Sequence, residues 1–233
     1  MLNFLSMASE KGVLIKDGRS FQLLSQIDTV VFDKTGTLTH ETPEVAHIYI
    51  FNNTEENKVL ELAAAAEYRQ KHPIAQAILE LASRKNIEIP QIDEANYKIG
   101  YGIRVTLDNH SIKAGSRRFI TEEHINIPDN CSEIENNIYL KGNSYIYVAY
   151  DNIIIGIIEL EPSLRPEAQD IIKNLKKLDM KLYILSGDHE NPSKAMAEKL
   201  DFDGYFAEVL PEDKADIIDS LQKQRKKLCF IGY

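Results

Sequence analysis

Ile27-Asp-Thr-Val-Val-Phe32 runs directly into Asp33-Lys34-Thr35-Gly36-Thr37-Leu38-Thr39. A short apolar run rich in β-branched residues, closed by a Gly-containing turn, reads as a buried strand that ends at Asp33. The last third of the chain repeats the style. Leu182-Tyr-Ile-Leu185 leads into Ser186-Gly187-Asp188, and Leu228-Cys-Phe-Ile231 leads into Gly232. Helical spacing separates these runs. Pro166 stands where a helix can start, followed by Ala168, Ile171, Ile172, Leu175 and Leu178, and Pro211 precedes Ala215, Ile218 and Leu221 on one face. Strands alternating with helices of this length predict βαβ units and a Rossmann-like parallel sheet, hence an α/β fold.

The middle of the chain is written differently. Residues 58–86 predict two helices broken at His72-Pro73, because a residue before proline is biased away from helical dihedrals. Short alternating segments follow at Tyr97 to Leu107, Ser111 to Ala114, Ser144 to Tyr150 and Ile153 to Leu160, with Asp108-Asn109 and Asp151-Asn152 as turn pairs. This pattern predicts an α+β antiparallel-sheet domain inserted into the parallel-sheet domain. The expected division is residues 1–42 and 154–233 for the parallel-sheet domain and 43–153 for the insert.

Composition narrows the possibilities. With 36 acidic against 27 basic side chains and a net charge of −9, the surface repels phosphate backbones, so nucleic acid is not an expected partner. Cys131 and Cys229 cannot build a disulfide framework or a zinc site and read as small apolar residues. His40, His47, His110, His124 and His189 show no ligand spacing. No run of about 18 uncharged apolar residues exists, so no membrane span is expected. The opening Met1-Leu-Asn-Phe-Leu-Ser lacks the basic start and long apolar core of a leader peptide.

Asp33 carries the chemistry. A carboxylate at the carboxyl end of a parallel strand lies where open α/β sheets bind ligands, and the amides after it can cradle an anion. Such a carboxylate can accept a phosphoryl group as an acyl phosphate.

The stretch Asp33 to Thr39 resembles the phosphorylation signature of P-type ATPases, in the haloacid dehalogenase superfamily. Other segments agree in order. Leu164-Arg165-Pro166-Glu167-Ala168 resembles the segment re-entering the phosphorylation domain, Ser186-Gly187-Asp188 the family's Thr-Gly-Asp motif, and Leu210-Pro211-Glu212-Asp213-Lys214 its lysine motif. His72-Pro73, with Glu67 before it and Gly100-Tyr101-Gly102 after it, resembles the nucleotide site of the heavy-metal-transporting branch. The resemblance runs from about Gly12 to the end of the chain.

It implies ATP as substrate and Mg²⁺ as cofactor. Asp33 would attack the γ-phosphoryl group, and Lys214 would neutralise the transferring oxygens. Thr35, Thr37 and Ser186 would offer hydroxyl or amide donors, and Asp188 would organise its loop. Mg²⁺ would be held by Asp33 and the Thr35 carbonyl together with the phosphate. Glu67, His72, Gly100, Gly102 and Ser116 would form the nucleotide pocket. Thr35 stands where phosphatases of the superfamily carry a second Asp, and it cannot serve as their general acid and base. A soluble phosphatase therefore ranks below an ATPase.

Three positions depart from the family pattern. Ser116 replaces an Asn, Glu161 replaces an Asp, and Tyr233 stands at the first Asp of a loop that supplies a magnesium carboxylate. These departures leave a catalytically inactive nucleotide-binding module as the rival reading. The resemblance further implies a fragment of a longer pump, at the cytoplasmic face of a membrane, partnered there by actuator and transmembrane domains. The transported heavy metal would be bound by those membrane segments rather than by this chain.

Overall fold

The structure is a computed structural model and describes residues 2–98, 102–224 and 226–232. In chain order the elements are α1 (Leu2–Glu10), α2 (Ser20–Leu24), β1 (Thr29–Asp33), β2 (Glu44–Ile50), α3 (Glu56–Glu67), α4 (Pro73–Arg84), β3 (Glu94–Lys98), β4 (Gly102–Leu107) and β5 (His110–Gly115). They continue with α5 (Arg117–Glu122), α6 (Cys131–Leu140), β6 (Ser144–Tyr150), β7 (Ile153–Glu161), α7 (Ala168–Lys177), β8 (Lys181–Leu185), α8 (Glu190–Lys199), β9 (Gly204–Phe206), α9 (Lys214–Lys223) and β10 (Leu228–Ile231).

Two sheets form, as expected. A four-stranded sheet has the order β10-β1-β8-β9, and every pairing in it is parallel. Every residue of β1 is buried. Alternation sends Val30 and Phe32 into one core with Leu182, Ile184 and the α7 and α8 residues Ile172 and Met196, while Val31 faces a second core with Leu185 and the α9 residue Leu221. Helices on both faces explain why the strand reads as one continuous apolar run. In this sheet β1 lies between two neighbours, and Asp33 pairs in register with Leu185 at its carboxyl edge.

The second sheet has six strands in the order β2-β7-β6-β5-β4-β3, all antiparallel. Helices α3 and α4 cover one face, around Ala64, Ile78, Val105, Ile112 and Val148. Helices α5 and α6 cover the other, around Phe119, Ile138, Tyr147 and Ile157. Asp108, Asn109 and Asp151 adopt positive φ in the hairpin turns, a region short polar side chains tolerate.

Several elements differ from expectation. The single segment expected at Tyr97 to Leu107 is two antiparallel strands, β3 and β4, with Ile99, Gly100 and Tyr101 outside the described residues. Sequence patterning assigns nothing to Glu44–Ile50, yet β2 forms there as an edge strand with mostly exposed residues, which blurs its alternation. The expected domain boundary at 153/154 falls inside β7. Apart from Ile155 at a bulge, every residue of β7 pairs with β2 or β6, so by strand pairing the second crossing lies beyond Glu161.

The two crossings lie side by side. Thr39 bridges Leu164, the His40 amide donates to the Ser163 carbonyl at 2.8 Å, and the Arg165 amide donates to the Leu38 carbonyl at 3.0 Å. The segments leaving and re-entering the parallel sheet are thus tied to each other beside Asp33.

Gly156 shows how tightly α3 packs on β7. A Cβ there would lie 2.6 Å from Val59 Cγ1 and 3.0 Å from the Tyr49 carbonyl oxygen. Gly156→Ala is expected to destabilise the chain by about 1–3 kcal/mol in urea unfolding, and Val59→Ala in the same chain should make the combined cost less than the sum of the single ones.

Candidate functional site

Asp33 ends β1 nearly buried, with 8% of its surface exposed. The chain then turns through residues 34–38, with Gly36 at φ 77°, a left-handed conformation that favours glycine. Thr39 closes the turn through its amide, which donates to the Lys34 carbonyl at 3.2 Å. From the return segment, Arg165 Nη2 donates to the Gly36 carbonyl at 3.0 Å, while its buried Nε has no hydrogen-bond partner among the described residues.

Lys214, first residue of α9, reaches Asp33 from the side. Its Nζ donates to Asp33 Oδ2 at 2.5 Å. The expected pair of carboxylate and lysine is therefore assembled across 181 residues of sequence. Ser186 follows Leu185 and so sits beside Asp33 at the same sheet edge. It is buried, and its Oγ accepts from the Asp188 amide at 3.1 Å, which leaves the hydroxyl hydrogen able to donate. Asp188 also contacts Lys34 Nζ through Oδ2. Burial pushes Lys34 down to about 8. This lysine–aspartate contact and the Arg165 clamp both join residues inside the quoted motifs, but sequence reasoning missed the pairing because only the fold brings them together.

Gly232 explains how Asp33 fits. Ile231 pairs with Phe32, and a Cβ at position 232 would lie 2.5 Å from the Asp33 Cβ. Thr35 is exposed and, with Lys34, His40, Asp188 and His189, borders a cleft of about 470 Å³. The facing wall is supplied by Gly142, Asn143 and Ser144 of the antiparallel domain.

The expected nucleotide residues fall into two groups. Glu67 ends α3 and is 3% exposed, and burial pushes its carboxyl up to about 7. Its Oε2 lies 3.1 Å from His72 Nε2 but takes part in no aligned hydrogen bond among the described residues. His72 caps α4 by accepting from the Ala75 amide at Nδ1, 3.3 Å away, and burial lowers its pKa. The proton of the neutral ring is then on Nε2, toward Glu67.

Gly102 and Ser116 form the second group, since Gly102 pairs with Gly115 across β4 and β5. Their local roles are structural. A Cβ on Gly102 would meet Phe119 Cδ1 at 2.3 Å, so the ring takes that space. Ser116 Oγ accepts from the Phe119 amide at 3.3 Å and caps α5. Gly100 lies outside the described residues. No cluster of three or more His, Cys, Asp or Glu residues able to hold a metal occurs among the described residues. Asp33 and the Thr35 carbonyl are oxygen donors of the kind Mg²⁺ prefers when substrate phosphates and water complete its shell.

A family model for haloacid dehalogenase-like hydrolases matches residues 27–232. The copper-exporting P-type ATPase of Staphylococcus aureus strain JH9 is 33% identical over 225 residues, 97% of this chain and 27% of that protein. The chain thus spans about a quarter of the length of the curated relatives it matches. A zinc-transporting PIB-type ATPase in the E2.Pi state superposes with a TM-score of 0.89 at 31% identity, covering 98% of this chain and 36% of that one. The catalytic domain of the CPx-ATPase CopB-B, described with conformational changes upon nucleotide binding, superposes with a TM-score of 0.64 at 27% identity, covering 97% and 82%.

Two measurements probe the site's physics. Because Glu67 binds its proton more tightly folded than unfolded, ionising it costs stability as pH rises from about 4.5 to about 7. Urea unfolding at pH 5 and pH 8 should show Glu67→Gln gaining on the wild type at pH 8, by up to about 3 kcal/mol. Equal changes in both chains would show that Glu67 titrates normally. Gly232→Ala should displace Asp33 and destabilise the fold by about 1–3 kcal/mol, read by the same unfolding measurement.

Proposed function

This chain belongs to the haloacid dehalogenase-like hydrolase family and, within it, to the catalytic regions of heavy-metal P-type ATPases, and from that premise we propose that it binds ATP in the antiparallel domain and accepts the γ-phosphoryl group on Asp33. The observation that carries this reading is the Lys214–Asp33 contact at the carboxyl edge of β1. An Asp33 oxygen attacks phosphorus, the bond to the β-phosphate bridging oxygen breaks, and ADP leaves with that electron pair. Lys214 offsets charge on the oxygens in transit, and the Ser186 hydroxyl and the amides after Asp33 donate to them. Arg165 holds the Gly36 carbonyl and so keeps the acceptor loop in place. When bound, Mg²⁺ would be held by Asp33 and the Thr35 carbonyl and would neutralise phosphate charge.

The pocket for the base is assigned to Glu67, His72, Gly100, Gly102 and Ser116. Glu67 Oε2 is a buried acceptor that an adenine amino group can satisfy. Gly102 and Ser116 would serve this pocket by shaping its β4–β5 edge. Domain limits are placed at about 42 and just beyond Glu161. Thr35 in place of a second carboxylate makes the phosphoenzyme slow to hydrolyse, which suits a cycle in which phosphorylation drives movement. The parent is proposed to use that movement to carry a heavy-metal ion across a membrane, at whose cytoplasmic face this region would lie. No helix among the described residues is long and apolar enough to cross one.

Tyr233 occupies a position where the family's loop has Asp, so the chain alone should label slowly. With radiolabelled ATP and Mg²⁺, the wild type should acquire acid-stable label. Asp33→Asn should reduce it to background, and Lys214→Ala should slow it by about 10²-fold. Labelling that survives Asp33→Asn contradicts the reading.

A further inference from the structure

Helices in this chain share one way of ending. After α4, α5, α7 and α8, the residues Asn86, His124, Asp179 and Asp201 take positive φ between 53° and 58°. In each case that amide and the next donate back to the last turn, as in Asn86 to Ser83 at 3.0 Å and Ile87 to Ala82 at 2.9 Å. Helix α6 ends the same way, with the Gly142 amide donating to Tyr139 at 3.0 Å and Asn143 to Ile138 at 3.1 Å. Its residue type differs from those of the other four, and its φ is somewhat larger. Gly142 has φ 75°. Asn, His and Asp meet the same conformational demand elsewhere, so backbone geometry alone does not require a glycine here.

What sets this turn apart is α8 of the parallel-sheet domain. A Cβ on Gly142 would lie 2.7 Å from Pro192 Cα and 3.2 Å from Ala195 Cβ. The nearest atom is backbone and cannot rotate away. Gly12, which ends α1 at φ 73°, has nothing within 4 Å of its Cβ position, so it makes no such contact. Gly142 is buried although it stands in a turn of its own domain.

The turn is also held rigidly from behind. Glu159, 1% exposed on β7, accepts from Asn143 Nδ2 at 2.6 Å, from Lys141 Nζ at 3.1 Å and from the Tyr49 hydroxyl at 2.8 Å. Burial pushes its carboxyl up, and these donors more than offset that and keep it below its usual value. Two residues later β7 ends and the chain returns to the parallel sheet. The turn therefore moves with the strand that feeds the crossing. On its other side it forms the wall of the cleft opposite Lys34 and Thr35.

We propose that the Lys141–Asn143 turn is the docking point of the antiparallel domain on α8, with Gly142 the positioning residue that lets the backbones meet and so sets the width of the cleft beside Asp33. Docking is a claim about domain geometry. Its consequence for phosphoryl transfer rests on the function proposed above.

Small-angle X-ray scattering of the full chain tests it. Gly142→Asn keeps a residue type that ends α4 in the same conformation but places a Cβ against α8. Ala195→Arg crowds the contact from a half-exposed helical position and leaves the turn untouched. Each variant should keep the wild-type circular dichroism and show a larger radius of gyration. The double variant should expand no further than the larger single effect. The proposal is overturned if both variants scatter like the wild type, if only Gly142→Asn expands, or if the expansions add. ATP binding is read separately by calorimetry, so a chain that binds no ATP yet shows these shifts removes the functional reading and keeps the docking contact.

Discussion

A carboxylate that is nine-tenths buried needs a cation, and Lys214 supplies it at 2.5 Å from Asp33. Much of the site follows from that constraint. Burying Asp33 requires β1 to lie between β8 and β10, and Gly232 has to lack a side chain so that β10 can run alongside. Bringing Lys214 to the same edge requires α9 to begin there. The second cation, Lys34, is buried too and is answered by Asp188 from the loop after β8. Two ion pairs, built from the ends of β1 and β8 and the start of α9, thus hold the acceptor loop.

The antiparallel domain is attached to this loop by construction. Thr39 and His40 leave the parallel sheet against Ser163 and Leu164 returning to it, and Arg165 reaches from the return segment to the Gly36 carbonyl. Any rotation of the inserted domain passes through these paired segments, one step from Asp33. The Gly142 contact with α8 lies on a separate segment, so the domain is held at a hinge and at a stop. That arrangement relates a ligand-dependent shift in the insert to the position of the acceptor carboxylate without a long chain of intermediates.

Parts of this were legible in the sequence for definite reasons. β1 and β8 read as buried runs because helices cover both faces of their sheet, whereas β10, a half-buried edge strand, reads from its short apolar composition alone. The hairpin turns read from Asp108-Asn109 and Asp151-Asn152 because positive φ restricts the residue choice. Asp33, Lys214 and Ser186 read from motifs, and the fold brings them to one edge. The illegible parts depend on distant partners. β2 is a mostly exposed edge strand with little alternation, and α6 carries Glu135 and Asn136 among its apolar residues. The local roles of Gly102 and Ser116 follow from where Phe119 packs, which no local pattern gives. Glu159 is the buried one of two acids in an isoleucine-rich strand, and nothing in that run announces the three donors that gather around it.

The central claim is that the inserted sheet holds the nucleotide whose phosphoryl group Asp33 receives. Amide-resolved NMR of the full chain during titration with Mg²⁺ and ATP tests it most directly. The account predicts two clusters of shifted amides, one around Glu67 to His72 and the Gly102 edge, the other in the loop from Lys34 to Thr37. A well-folded sample whose amides in both regions stay unmoved at millimolar ATP would contradict it.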